Sequence, residues 1–171
     1  YVRSASGDLE TLVGSNNRSI SHLRRESMLQ GAEEVAASIE SEWIECHRGS
    51  VYCLDYSPGQ HLFASGSNDK SVRIGKIRTG AGMIGSTGVG ELCTPMKGHT
   101  GTVRVVKFAP PLNNTAKGSD AGASLHLLAS AGAGDNRPRL WDVSTGQAHS
   151  TLHGHNAPVH GLTWLDGVTL L

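Results

Sequence analysis

Gly66-Ser67-Asn68-Asp69-Lys70-Ser71-Val72 has a near copy 52 residues earlier, Gly14-Ser15-Asn16-Asn17-Arg18-Ser19-Ile20. The same displacement carries His47-Arg48-Gly49-Ser50-Val51 onto His99-Thr100-Gly101-Thr102-Val103, and His155-Asn156-Ala157-Pro158-Val159 follows 56 residues beyond that. Apolar residues hold equal offsets after each copy: Val51, Leu54 and Tyr56, then Val103, Val106 and Phe108, then Val159, Leu162 and Trp164. Self-similarity at a fixed period marks a fold made of stacked supersecondary units, each unable to bury its apolar face alone.

Within the best-defined unit the pattern is strand, turn, strand. Val51 to Tyr56 and Leu62 to Ser67 read as strands separated by Ser57-Pro58-Gly59, and Asn68-Asp69-Lys70 reads as a hairpin turn into a third strand from Ser71 to Ile77. Asp and Asn suit that turn because their side chains bond nearby backbone amides and tolerate left-handed angles. A fourth strand is expected near Leu92 to Met96, and in the next unit from Gln147 to Leu152. One segment breaks the pattern: Leu29, Ala32, Val35, Ala36, Ile39 and Trp43 recur at intervals of three and four, interleaved with Glu33, Glu34, Glu40 and Glu42. That spacing predicts an amphipathic helix over about 27–43, inserted between two strands of the first unit.

Composition agrees with short strands and many turns. Of 171 residues 22 are glycine and only 5% are aromatic, while 37% are apolar. Fifteen basic residues balance fifteen acidic ones, so no bulk charge draws the chain to nucleic acid or to an anionic membrane, though a local patch is compatible with neutrality. Neither partner is expected. No stretch is long and apolar enough for a membrane helix, and Tyr1-Val2-Arg3-Ser4 is not a signal segment. The odd set Cys46, Cys53 and Cys93 contains no CxxC pair and is expected to be reduced. A chain that opens on Tyr1 and stops in mid-pattern at Leu171 is expected to be part of something longer.

These residues resemble the WD-repeat β-propeller family. Gly98-His99 and Gly154-His155 match its glycine-histidine signature, Leu140-Trp141-Asp142-Val143 matches its tryptophan-aspartate ending, and Asp135 stands six residues before Trp141. The resemblance implies an all-β partial propeller of about two complete four-stranded blades and parts of two more, with one inserted helix. Its divisions fall at 1–46 (a partial blade holding strands two to four), 47–97, 98–153 and 154–171. It also implies a buried polar relay drawn from His47, Asp69, His99, Ser130, Asp135, Trp141, Asp142 and His155, with Asp135 bonded to His99 and Ser130 linked toward Trp141. The second unit departs from the pattern, having Gly75 six residues past Asp69 where an indole would stand; the first has Asn17 and Leu23 at the corresponding places. The periods exceed the family's usual repeat of about 40–45 residues, so extra residues are assigned to loops over 79–90 and 110–124. Three blades or fewer cannot close a ring that needs at least about four, and the remaining blades are expected outside this sequence.

Chemistry is weakly signalled. His149, His153, His155 and His160 lie close in sequence, yet they lack the converging spacing of a zinc site. Ser65-Gly66-Ser67 and the glycine-rich run from Gly80 to Gly90 lack the strand-to-helix setting of a nucleophile elbow or phosphate loop. No cofactor, metal or enzymatic activity is expected. The favoured role is a non-catalytic scaffold for other proteins, with Leu29, Glu33, Glu34, Ile39 and Trp43 of the inserted helix as candidate contacts. The runs His47 to Cys53, Gly66 to Lys70 and Ser130 to Asp135 are similar to microtubule-associated WD-repeat proteins of the nemitin type, which implies tubulin or axonemal partners and a cytoplasmic, cytoskeletal or ciliary setting. A substrate receptor of a ubiquitin ligase, using Arg137 and Arg139, is the alternative.

Overall fold

The computed structural model describes residues 2–3, 9–25, 39–57, 61–76, 95–110, 126–166 and 169–171. Among these residues twelve strands run in chain order: β1 (Val2–Arg3), β2 (Leu9–Gly14), β3 (Ser19–Arg25), β4 (Ile39–Glu45), β5 (Val51–Ser57), β6 (Leu62–Ser67), β7 (Ser71–Lys76), β8 (Met96–Lys97), β9 (Val103–Phe108), β10 (Leu127–Gly132), β11 (Arg139–Asp142) and β12 (Ala148–Thr151). They form three antiparallel four-stranded sheets, β1 to β4, β5 to β8 and β9 to β12, each with neighbours in sequence order. The fold is an all-β partial propeller. The first sheet has a fourth strand beyond the three expected, because Val2 and Arg3 pair with Glu10 and Leu9.

The helix expected over 27–43 is corrected at its carboxy-terminal end. Ile39 and Trp43 lie on β4, paired along its whole length with β3 from Ile39–Arg25 to Glu45–Ser19. Two residues four apart share a face in a strand as well as in a helix, since four is a multiple of the strand period and close to the helical one. Over Ile39-Glu40-Ser41-Glu42-Trp43 the pattern also alternates, and the unpaired edge of β3 supplies backbone partners that a helix there would leave empty. Leu29, Glu33 and Glu34, with the loops over 79–90 and 111–124, lie outside the described residues. No helix occurs among the described residues.

Turn chemistry explains the hairpins. Asp69 Oδ1 accepts from the Ser71 amide at 3.0 Å and its hydroxyl at 2.7 Å, while Lys70 adopts φ 69°. In the first sheet Asn17 Oδ1 accepts from the Ser19 hydroxyl at 2.5 Å beside Arg18 at φ 73°. The neutral amide thus caps the turn as the carboxylate does.

Sheets pack in series. Ala64, Val72, Ile74 and Met96 of the second sheet meet Val103, Val106, Leu128 and Trp141 of the third. On its other face the second sheet brings Val51 and Phe63 against Ile20 and Cys46, the residue that follows β4. One repeat position forms the seam each time: a Cβ on Gly14 would stand 2.8 Å from Val51 Cγ1, and one on Gly66 2.5 Å from Val103 Cγ1. In the third unit the place is Ala131, which clusters with Val159. Inner strands are also tied, since Lys107 Nζ reaches Asp55 at 3.0 Å and the Phe108 amide donates to Asp55 at 2.8 Å. The start of the next unit makes no strand among the described residues; Val159 donates to the Gly132 carbonyl and the Trp164 indole to that of Lys107, so the segment covers the third sheet's open side.

Candidate functional site

The described residues with the most concentrated polar chemistry are two histidine-centred clusters, one in each of the last two sheets. In the third, the loop before β9 supplies His99, β10 supplies Ser130, the β10–β11 loop supplies Asp135 and β11 supplies Trp141. His99 Nδ1 lies 3.2 Å from both Asp135 oxygens, Nε2 lies 2.7 Å from Ser130 Oγ, and the Trp141 indole donates to the same Oγ at 2.7 Å. Burial lowers the pKa of His99 despite the facing carboxylate. Burial alone would raise Asp135, but the bond from His99 and the neighbouring Arg139 bring it below the ordinary carboxylate range.

Donor and acceptor matching across these contacts assigns the protons. An ionised Asp135 only accepts, so Nδ1 carries the hydrogen; Nε2 of the neutral ring then accepts from Ser130, whose lone pair takes the indole hydrogen. Every donor and acceptor in this buried chain is matched, and each bond polarises the next. Arg139 completes the outer end, donating to Asp135 through Nε and Nη2 at 3.4 and 3.3 Å and to Thr151 through Nη1 at 3.2 Å.

The second sheet builds the same centre differently. His47 Nδ1 is 3.0 Å from Asp69 Oδ2 and Nε2 is 2.8 Å from Ser65 Oγ. Asp69 Oδ2 also accepts from the Arg48 amide at 2.9 Å, and Ser71 Oγ stands 3.2 Å from His47 Nδ1. Burial again lowers His47. For Asp69 burial would raise the pKa, but bonds from Ser71 and the Arg48 amide outweigh it and bring it to about 2. The indole's place is Gly75, and its register partner is Phe63, whereas Trp141 is paired with Leu128. The large aromatic has moved across the ladder from the third strand to the second. Arg73 faces Ser65 in register as Arg139 faces Ser130, yet its Nε has no hydrogen-bond partner.

One residue expected in the relay, Asp142, stands apart from it. Asp142 caps the turn after β11, accepting from the Ser144 amide at 2.8 Å and the Ser144 hydroxyl at 2.5 Å, and those bonds lower its pKa. His155 is exposed and makes no hydrogen bond among the described residues. The sequence reading missed Ser65, Ser71 and Thr151. Ser65 lies four residues before Asp69 whereas Ser130 lies five before Asp135, so a fixed offset does not find both.

Both clusters have the Ser-His-Asp order of an activated serine, but Ser65 and Ser130 are fully buried, out of reach of a substrate, and Ser130 Oγ already accepts from the Trp141 indole. Burial pushes the thiols of Cys46 and Cys53 up to about 11 and about 12, away from the thiolate that reactive cysteines need. His149, His153, His155 and His160 are all exposed, and no group of three metal-ligating side chains converges among the described residues.

Comparison with known proteins adds family context. Residues 40–74 match the family described as WD domain, G-beta repeat. The chain is 33% identical over 120 residues to nuclear distribution protein PAC1-1 of Uncinocarpus reesii, covering 70% of this chain and 22% of that protein. It is 29% identical over 126 residues to protein HIRA of Oryza sativa, covering 71% of this chain and 13% of that one, and 28% identical over 145 residues to periodic tryptophan protein 2 of Arabidopsis thaliana, covering 73% and 16%. The chain thus spans less than a quarter of the length of these curated relatives. The matched repeat takes β4 from the first sheet and β5 to β7 from the second. Sequence unit and sheet are out of phase by one strand, so each repeat covalently ties two neighbouring sheets. A repeat match laid across that junction, in a chain whose three sheets share one strand order, makes this protein part of a WD-repeat β-propeller.

Proposed function

We propose that the chain is part of a non-catalytic scaffold that binds other proteins, in the cytoplasm and within a microtubule-associated assembly. The observation that carries this reading is how the chain spends its polar groups. In both relays His, Asp and Ser bond one another across strands and loops, which holds the loops rigid while their exposed residues are free to serve as contacts. WD-repeat proteins act as protein-interaction scaffolds. The microtubule setting rests on the resemblance of the runs around His47, Asp69 and Asp135 to microtubule-associated WD-repeat proteins; relatives named for nuclear distribution fit a role in moving or placing cell structures. Tubulin and axonemal proteins are the partners this reading names, with further blades from outside these residues closing the ring.

The ligase-receptor alternative needs Arg137 and Arg139 free for an adaptor. Arg139 is held by Asp135 and Thr151, so no observation favours it. Co-sedimentation of the full-length protein with microtubules, together with its localisation in a ciliated cell, tests the proposal. Pelleting with tubulin, or signal along microtubules or the axoneme, is the expected result; a protein that stays in the supernatant and diffuses through the cytosol overturns the microtubule setting.

A further inference from the structure

The neutral chain is not neutral at both ends of its sheets. The loops before β5 and β9 and the hairpins β2–β3, β6–β7 and β10–β11 meet at one end, joined by the His47–Asp69 and His99–Asp135 contacts and by Ser50 reaching the Asn16 carbonyl. That end exposes Arg18, Arg48, Lys70, Lys97, Arg104 and Arg137. None of the six makes an ion pair among the described residues. Its two relay carboxylates are turned inward and bonded to histidine, which leaves Glu45 as the exposed acid among the described residues there.

Two further observations point outward. Arg18 and Lys70 occupy left-handed turn positions, φ 73° and 69°, where Gly or Asn would sit at lower cost; the third hairpin uses Asn136 at φ 51°. Cations are thus kept at two places where backbone strain disfavours them. Tyr52, at the start of β5, is 53% exposed, and the Arg104 guanidinium lies over its ring at 5.9 Å. Stacking holds that charge at the surface beside an aromatic face.

We propose that this end of the sheets docks an Asp- and Glu-rich segment of another polypeptide. One or two cations per successive loop match a chain with repeated carboxylates better than a single phosphate, which would require donors converging on one point. Single-stranded nucleic acid would call for a row of aromatic platforms, and Tyr52 is the one exposed aromatic at this end among the described residues. The inference names a partner chemistry within the scaffold reading but does not depend on microtubules.

Fluorescence anisotropy of a labelled Glu-rich peptide with the full-length protein tests it, alongside a labelled RNA and vesicles containing anionic lipid. Peptide binding is expected, weakening from about 0.01 M to about 0.15 M salt as the screening length falls from about 30 to about 8 Å. The combined variant Arg48→Glu, Lys70→Glu, Arg104→Glu should lose about tenfold or more in affinity, and Glu45→Lys should gain. Lys76→Glu, exposed at the opposite end of β7, should leave affinity unchanged and controls for folding. No binding, equal loss in Lys76→Glu, or tighter binding of RNA or vesicles overturns the proposal. Peptide binding without microtubule pelleting would remove the microtubule setting alone.

Discussion

The second and third sheets share a strand order and a histidine centre but fill the space beside it by opposite means. In the third, Trp141 on β11 is fully buried, pairs with Leu128 and donates to Ser130. In the second, Gly75 holds that place, and its partner Phe63 on β6 is fully buried instead. The large aromatic stands on the opposite strand of one register pair, with less total side-chain volume than Leu128 and Trp141 together, and the indole hydrogen bond is lost. The second relay is reinforced at its other end, where Asp69 gathers Ser71 and the Arg48 amide. Packing and hydrogen bonding are therefore separable in this repeat: the space has to be filled, and the indole is one of two ways to fill it.

The largest expected effect comes from emptying the two spaces. Trp141→Ala and Phe63→Ala should each cost about 3–5 kcal/mol in the full-length protein, read by denaturant unfolding. A Phe63→Ala cost below about 1 kcal/mol would break the comparison, because Phe63 would then not be the counterpart of Trp141.

A double-mutant cycle sharpens it. Gly75→Trp alone should overpack against Phe63 and destabilise by about 1–3 kcal/mol. Joined with Phe63→Leu, which recreates the Leu128–Trp141 pair, it should recover part of that loss, with a coupling of about 0.5–3 kcal/mol. Strict additivity would mean that the two positions do not compete for one volume.

The smallest effect is on pH dependence, and here the two sheets should agree. Burial holds both histidines below the ordinary 6.5 in the folded state, so the unfolded chain takes up protons first and stability falls as pH drops through about 6.5. Asp69 and Asp135 are held below 3.8, and their contribution, present above that value, is lost as pH falls further, for Asp69 toward about 2. Both stages run in the same direction. His47→Gln with His99→Gln should flatten the first stage, keep the Asp69 part of the second, which Ser71 and the Arg48 amide maintain, and shrink the Asp135 part, which loses its bond from His99, as measured by thermal melting across pH; an undiminished first stage would place the titrating groups elsewhere.

Much of this was legible because a repeat reports itself. The 52-residue displacement brought His47 and His99 into one register, the resemblance to WD repeats supplied Asp69, Asp135 and their place in a relay, and Asn17, an amide in the aspartate's position, still marked its turn. Legibility failed wherever one spacing served two structures or where the partner came from another strand. Ile39 and Trp43 fit a helix and a strand equally, and the edge of β3 decided between them. Phe63 read as an ordinary strand residue until its register partner proved to be glycine.

By itself the sequence determined that the chain is a series of short strands with polar turns at fixed intervals, because periodicity and turn chemistry are local properties of neighbouring residues. The tertiary structure alone decided which serine closes each relay, that Asp142 stands outside it, that Gly66 must admit Val103, and that six cations share one end. Each depends on distance between residues far apart in the chain, which register and sheet packing set and residue order alone does not specify.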